Sequence, residues 1–134
     1  MLSHSTLSFL SELQEKSHTA YPEGGLLYTF VEASNQAHSR YPTGNVASSA
    51  QPSSELKNLS LFLQASQGDY LSKPVTPYFV VAAQQLIEHL RSDLKFDEMS
   101  CQLEDGGHDM NAKLKMARRT DNLFFGLELW WSID

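Results

Sequence analysis

The sequence predicts an α+β domain: three to four helices packed on one face of a mainly antiparallel sheet, with a C-terminal three-stranded meander. Three observations carry this. From Leu123 to Ile133 every odd position is apolar (Leu123, Phe125, Leu127, Leu129, Trp131, Ile133), the period-2 signature of a strand with one face in a core. Two shorter alternations precede it, Met99–Cys101–Leu103 and Met110–Ala112–Leu114–Met116, with turn residues after each. Upstream of Met99 the apolar spacing changes to three and four residues, as helices require.

Residues 1–134 are read as one domain, because a chain of 134 residues has the usual single-domain length and buries roughly two thirds of its unfolded surface. Ser3 to about His18 carries Leu7, Leu10 and Leu13 on helical spacing with Phe9 beside them, behind Ser and Thr candidates for the N-cap. Tyr21, Pro22, Glu23, Gly24 and Gly25 end that helix. From Leu26 to Arg40, the residues Leu27, Phe30, Val31, Ser34, Ala37, His38 and Tyr41 trace one helical face. Residues 26–31 alone also suit a short strand, but the longer pattern favours helix. Residues 41–54 are rich in Ser, Gly, Pro, Asn and Ala, too poor in apolar surface to offset their ordering entropy, and read as a flexible loop.

Ser54 precedes Leu56, Leu59, Phe62 and Leu63, with Gly68 past the end: a short capped helix. Thr76 and Pro77 then introduce Val80, Ala83, Leu86, Ile87, Leu90 and Leu94, a stripe broad enough for the central packing helix. In the first hairpin, Gly106 and Gly107 suit the centre of a two-residue type I′ loop. That loop pairs Leu103 with Met110, Cys101 with Ala112, Met99 with Leu114, and Glu98 with Lys115 on the outer face. In the second, a loop at Thr120–Asp121 or at Asp121–Asn122 sets Glu128 opposite Lys113 or Lys115. Leu86, Leu90, Leu114, Met116, Phe125, Leu127 and Leu129 are the expected core.

Ten basic against sixteen acidic residues give a net charge of -6, which repels phosphate backbones and argues against nucleic acid. The one basic strip, Lys113, Lys115, Arg118 and Arg119, is flanked by acidic partners and reads as a charge-paired sheet exterior. Cys101 is the single cysteine, on the apolar phase of a strand, and reads as a small buried hydrophobe. No apolar stretch is long enough to span a bilayer, and no basic n-region precedes an apolar run, so the expected compartment is the cytoplasm.

Catalytic constellations are weak. Glu104, Asp105, His108 and Asp109 crowd the first turn without the spacing of an EF-hand, and turn chemistry accounts for them. His4, His18, His38, His89 and His108 form no pair at metal-ligand spacing, so neither metal nor cofactor is expected. His89 follows Glu88, but adjacent helical residues point about 100° apart and do not converge.

The anomaly lies on the polar phase of the last strand, where Phe124 and Trp130 stand roughly 20 Å apart with Gly126 and Glu128 between them. Bulky aromatics there need cover from the chain itself, a second copy, a partner or a ligand. The leading expectation is a non-enzymatic acidic protein-interaction domain of inhibitor, immunity or adaptor type. Its interaction surface is Phe124, Trp130 and Glu128, and its partner is another protein or a second copy in a homodimer. The alternative is a small-molecule binder or enzyme, with a pocket between sheet and helices lined by Tyr78, His89, Met116 and Trp131.

Overall fold

The computed structural model describes residues 2–33, 53–68, 75–106 and 108–133. Their order is α1 (His4–Ala20), β1 (Gly25–Ala33), α2 (Ser53–Ser66), α3 (Pro77–Leu94), β2 (Glu98–Asp105), β3 (Asp109–Arg118) and β4 (Leu123–Ser132). The strands form one antiparallel sheet in the order β1-β4-β3-β2, with β2, β3 and β4 as the C-terminal meander. The chain is therefore an α+β domain with three helices among the described residues.

Local chemistry marks the start of α1 and both ends of α3. The Ser3 hydroxyl accepts from the Thr6 N–H at 3.2 Å, closing the first turn of α1. Thr76 stands in extended conformation before Pro77 at the start of α3. Lys95, at φ 52°, ends α3 in the left-handed conformation, and its N–H donates to the Arg91 carbonyl at 2.8 Å. The Leu94 carbonyl accepts from the Arg118 guanidinium at 2.7 Å, a cation at a helix C-terminus.

Residues 25–33 form a strand, not the start of a helix, which corrects the helical expectation over Leu26–Ala33; residues 34–40 of that segment lie outside the described residues. Over six residues Leu26, Tyr28 and Phe30 satisfy period 2 as well as Leu27, Phe30 and Val31 satisfy 3.6. The nine-residue ladder to β4 decides between them, because without β1 the full length of β4 would lack a partner on that side. Ala37, His38 and Tyr41, and the loop expected over 41–52, lie outside the described residues. Within the expected loop, Ser53 and Ser54 belong to α2.

The first hairpin is also corrected. Its ladder pairs Asp105 with Met110, Leu103 with Ala112, Cys101 with Leu114 and Met99 with Met116, two residues away from the expected register. Gly106 donates to the Asp109 carbonyl at 2.9 Å, so the turn closes one residue later than expected, which shifts the register by two. A slip of two leaves every side chain on its own face, so the core is unaffected. It does move Glu98 opposite Ala117, and the Glu98 carboxylate takes the Arg119 guanidinium instead, at 2.8 and 3.1 Å. In the second hairpin Arg118 pairs with Leu123 and Lys113 with Glu128, the register of the Thr120–Asp121 loop.

The helices cover one face. α1 lies on β1 and α2 on β2 and β3, while α3 approaches α2 and α1 more closely than it does any strand. α3 is thus central to the helical layer rather than to the helix–sheet contact. Leu86, Leu90, Leu114, Met116, Phe125, Leu127 and Leu129 are all buried, joined by Leu10, Leu13, Leu59, Phe62 and Leu63. Cys101 is buried with them, and that burial, with Glu55 nearby, pushes its thiol up to about 12.

The N-terminus of α1 is fastened to the end of α3 by one carboxylate. Asp93 Oδ2 accepts from the Thr6 hydroxyl at 2.5 Å and from the Ser3 N–H and hydroxyl at 3.0 and 3.2 Å. Burial pulls the Asp93 carboxyl upward, but these bonds, with His89, together outweigh it and hold the group below its usual range. A lowered folded value stabilises above the unfolded carboxylate range and is lost as pH falls through the folded value. Asp93→Asn is therefore expected to melt below wild type at pH 7 and to converge on it near pH 2. Thermal melts of both across that range check this.

Candidate interaction surface

The face of the sheet away from the helices is built in rows by the registers of its four strands. Leu27, Trp130, Asn111 and Glu104 form one row; Thr29, Glu128, Lys113 and Gln102 the next; Val31, Gly126, Lys115 and Ser100 a third. Neighbours in a row stand about 5 Å apart and successive rows about 7 Å apart. Leu27, Val31 and Trp130 are 51%, 52% and 37% exposed; Leu27 and Trp130 are neighbours in one row, and Val31 stands two rows along, beyond Thr29 and Glu128. Glu128 is exposed beside them. A shallow cavity of about 430 Å³ opens between Leu27, Thr29, Asn111, Glu128 and Trp130.

Phe124 lies on this face in a fourth row with Ala117, but it is only 7% exposed. Of the three surface residues singled out by the sequence, Trp130 and Glu128 are accessible and Phe124 is buried. Leu27 and Val31 were missed because their segment reads as helix. The signal that finds them is the strand alternation of Leu26, Tyr28 and Phe30, which turns 27, 29 and 31 outward.

Lys113 stands between Glu128 and Gln102 on this face. Lys113→Ser removes one partly exposed charge and is expected to change stability by less than about 0.5 kcal/mol, or roughly 2 °C in Tm, in a thermal melt. Lys115 shares this face one row along, whereas the two arginines of the basic strip point elsewhere. Arg118 faces the helices, over the Phe125 ring at 5.6 Å, and Arg119 is held by Glu98. The four do not share one surface.

The residues expected to line an internal pocket are spread over two places. Met116 and Trp131 are packed in the core, with Tyr21 stacked on Trp131 at 5.0 Å between ring centres. Tyr78 is exposed at the start of α3, where its hydroxyl accepts from Lys16 at 2.7 Å; that bond raises Lys16 above its usual value. His89 sits about three turns further along the same side of α3, its ring 5.1 Å from that of Phe9. It borders an open groove of about 540 Å³ between α1 and α3, with Phe9, Glu12, Val81, Gln85 and Glu88. Among the described residues no three His, Cys, Asp or Glu side chains are placed to hold a metal ion. No helix among them is long and apolar enough to cross a membrane.

No protein-family model, curated protein or solved structure matches the chain.

Proposed function

We propose that the protein is a non-enzymatic interaction domain of inhibitor, immunity or adaptor type, working in the cytoplasm through the outer face of its sheet. The observation that carries this reading is the exposed Leu27–Trp130 pair beside the Glu128 carboxylate, with Val31 exposed two rows along. Contiguous apolar surface on a folded domain is retained where something covers it, and an aromatic flanked by polar residues is the usual energetic centre of such a contact. The net charge of -6 steers the domain toward a basic partner and sets the salt dependence of association.

The test is retention of a partner from extract of the source cells on immobilised protein, comparing wild type with Trp130→Ser, Glu128→Lys and His89→Ala. A partner held by wild type and by His89→Ala, and lost on both outer-face variants, supports the reading. Retention that survives both outer-face changes overturns it.

A second reading, binding of a small molecule, has one observation in its favour. The groove between α1 and α3 sets the His89 imidazole beside the apolar Phe9 and Val81 and the Gln85 amide. Loss of ligand or partner binding on His89→Ala alone would favour it.

A further inference from the structure

β1 is an edge strand, and its main chain is poised to pair again. In an antiparallel ladder the N–H and C=O of one residue point to the same side, and the side alternates along the strand. Ile133 donates to the His108 carbonyl at 3.1 Å, which continues the β3–β4 register and makes the odd residues of β4 the ones bonded to β3. The even residues, Gly126, Glu128 and Trp130, therefore bond to Val31, Thr29 and Leu27 of β1. That leaves Leu26, Tyr28 and Phe30 with main-chain groups directed away from the sheet. An independent bond agrees: the Gln14 side chain reaches from α1 to donate to the Leu26 carbonyl at 3.2 Å. Beyond Leu26, among the described residues, no strand lies against this edge.

Edges of this kind are normally protected by proline, lysine or a bulge. Between Gly25 and Ala33 there is no proline and no lysine, and Glu32 is the one charge. The sequence of the edge is moreover a chemical palindrome about Thr29: aliphatic Leu27, aromatic Tyr28, Thr29, aromatic Phe30, aliphatic Val31. A two-fold interface must be self-complementary in this sense, residue i facing j and j facing i.

We infer that β1 is a homodimerisation edge, on which a second copy of this chain pairs its own β1 antiparallel about a two-fold axis at Thr29, giving one eight-stranded sheet. In that register Tyr28 faces Phe30 of the second copy on the inner side and exchanges two main-chain hydrogen bonds with it, and the symmetry repeats them for Phe30 and Tyr28. Leu27 faces Val31 on the outer side, and the two Thr29 residues meet on the axis. Tyr28 and Phe30 are half-buried in the single chain, with ring surface left to cover. Centring the axis on Tyr28 or Phe30 instead would set Leu27 against Thr29 or Tyr28 against Glu32 within the central pairs; about Thr29 residues 27–31 match, and the first mismatch, Leu26 against Glu32, falls at the ends of the pairing. Charge selects the same direction: antiparallel pairing puts the two Glu32 carboxylates about 20 Å apart, beyond the Debye length of roughly 8 Å at physiological salt, whereas a parallel in-register pairing sets them side by side.

This goes beyond the outer-face reading, because it uses the main chain of β1, and it can fail alone. A strand-only contact falls below the roughly 1,200 Å² of stable complexes, so dissociation in the micromolar range follows. Sedimentation equilibrium of the whole chain from about 1 to about 300 μM is expected to rise to twice the 15.1 kDa chain mass. Leu27→Lys and Val31→Glu, each on a half-exposed position, are each expected to weaken the dimer about tenfold or more, by setting a charge against an aliphatic partner. The Leu27→Lys, Val31→Glu double variant places the new ammonium opposite the new carboxylate across the interface and is expected to restore it. Within one chain those two positions lie about 13 Å apart and do not pair. Mixing the two singly substituted chains gives the same test without the double variant: a heterodimer forms where neither chain dimerises alone.

A wild type that stays monomeric at about 300 μM overturns the proposal. So does a dimer indifferent to both single changes, or single changes that are neither rescued in the double variant nor by mixing. A monomeric wild type that still loses its partner on Trp130→Ser would refute the dimer and leave the outer-face reading standing.

Discussion

Leu127→Asp is expected to leave the protein unfolded at 25 °C. Leu127 is 1% exposed in the middle of β4, between Phe30 of β1 and Leu114 of β3 in the same row. Removing a buried leucine costs about 2–5 kcal/mol, and a carboxylate left there without a partner costs several more. The sum reaches the whole stability of an ordinary domain, about 5–15 kcal/mol. Far-UV circular dichroism should show the loss of helix and sheet together, since the helices have no other surface to pack on. A folded variant melting within a few degrees of wild type would mean that the odd face of β4 does not look into the core.

Trp131→Ala comes next in size. Trp131 has no exposed surface, lies opposite Leu26 and Met110, and is covered by the Tyr21 ring at an interplanar angle of 7°. The Tyr21 hydroxyl in turn donates to the Ala65 carbonyl at 2.9 Å, so the cavity would open where the end of α1 meets the end of α2. The expected loss is about 3–5 kcal/mol, or roughly 10–18 °C in Tm for a chain of this length. The same change at its sequence neighbour Trp130, which stands on the outer face, should cost less than about 1 kcal/mol. Equal costs in paired thermal melts would contradict the assignment of the two tryptophans to opposite faces.

That contrast also shows what a linear reading can reach. β2, β3 and β4 are legible because each has one buried and one open face, so alternation survives in the residue types. β1 is not, because Leu26 to Val31 is apolar at five of its six positions and short enough to satisfy two periods. Only its pairing with β4, nearly a hundred residues away, settles it. The paired glycines at 106 and 107 suggested a two-residue loop. The turn closes one residue later instead, which shifts the register by two and keeps every side chain on its face, so the core residues follow from the alternation while the pairing of Glu98 does not. On the outer face, Trp130 and Glu128 follow from the even phase of β4. Leu27 and Val31 depend on recognising β1, and the burial of Phe124 depends on packing that periodicity does not encode. Tyr78, His89, Met116 and Trp131 were grouped by chemical type, but two of them lie on inward phases and two on the solvent side of α3, so no pocket assembles from them.

The central claim, that the outer face of the sheet is where this protein meets its partner, is tested most directly by amide hydrogen exchange on the complex captured by wild-type protein. Protection confined to β1 and β4, over Gly25–Ala33 and Leu123–Ser132, is the predicted result. Protection over α1 and α3 around Phe9 and His89, with β1 and β4 exchanging as in the unbound protein, would contradict it and move the site to the groove between those helices.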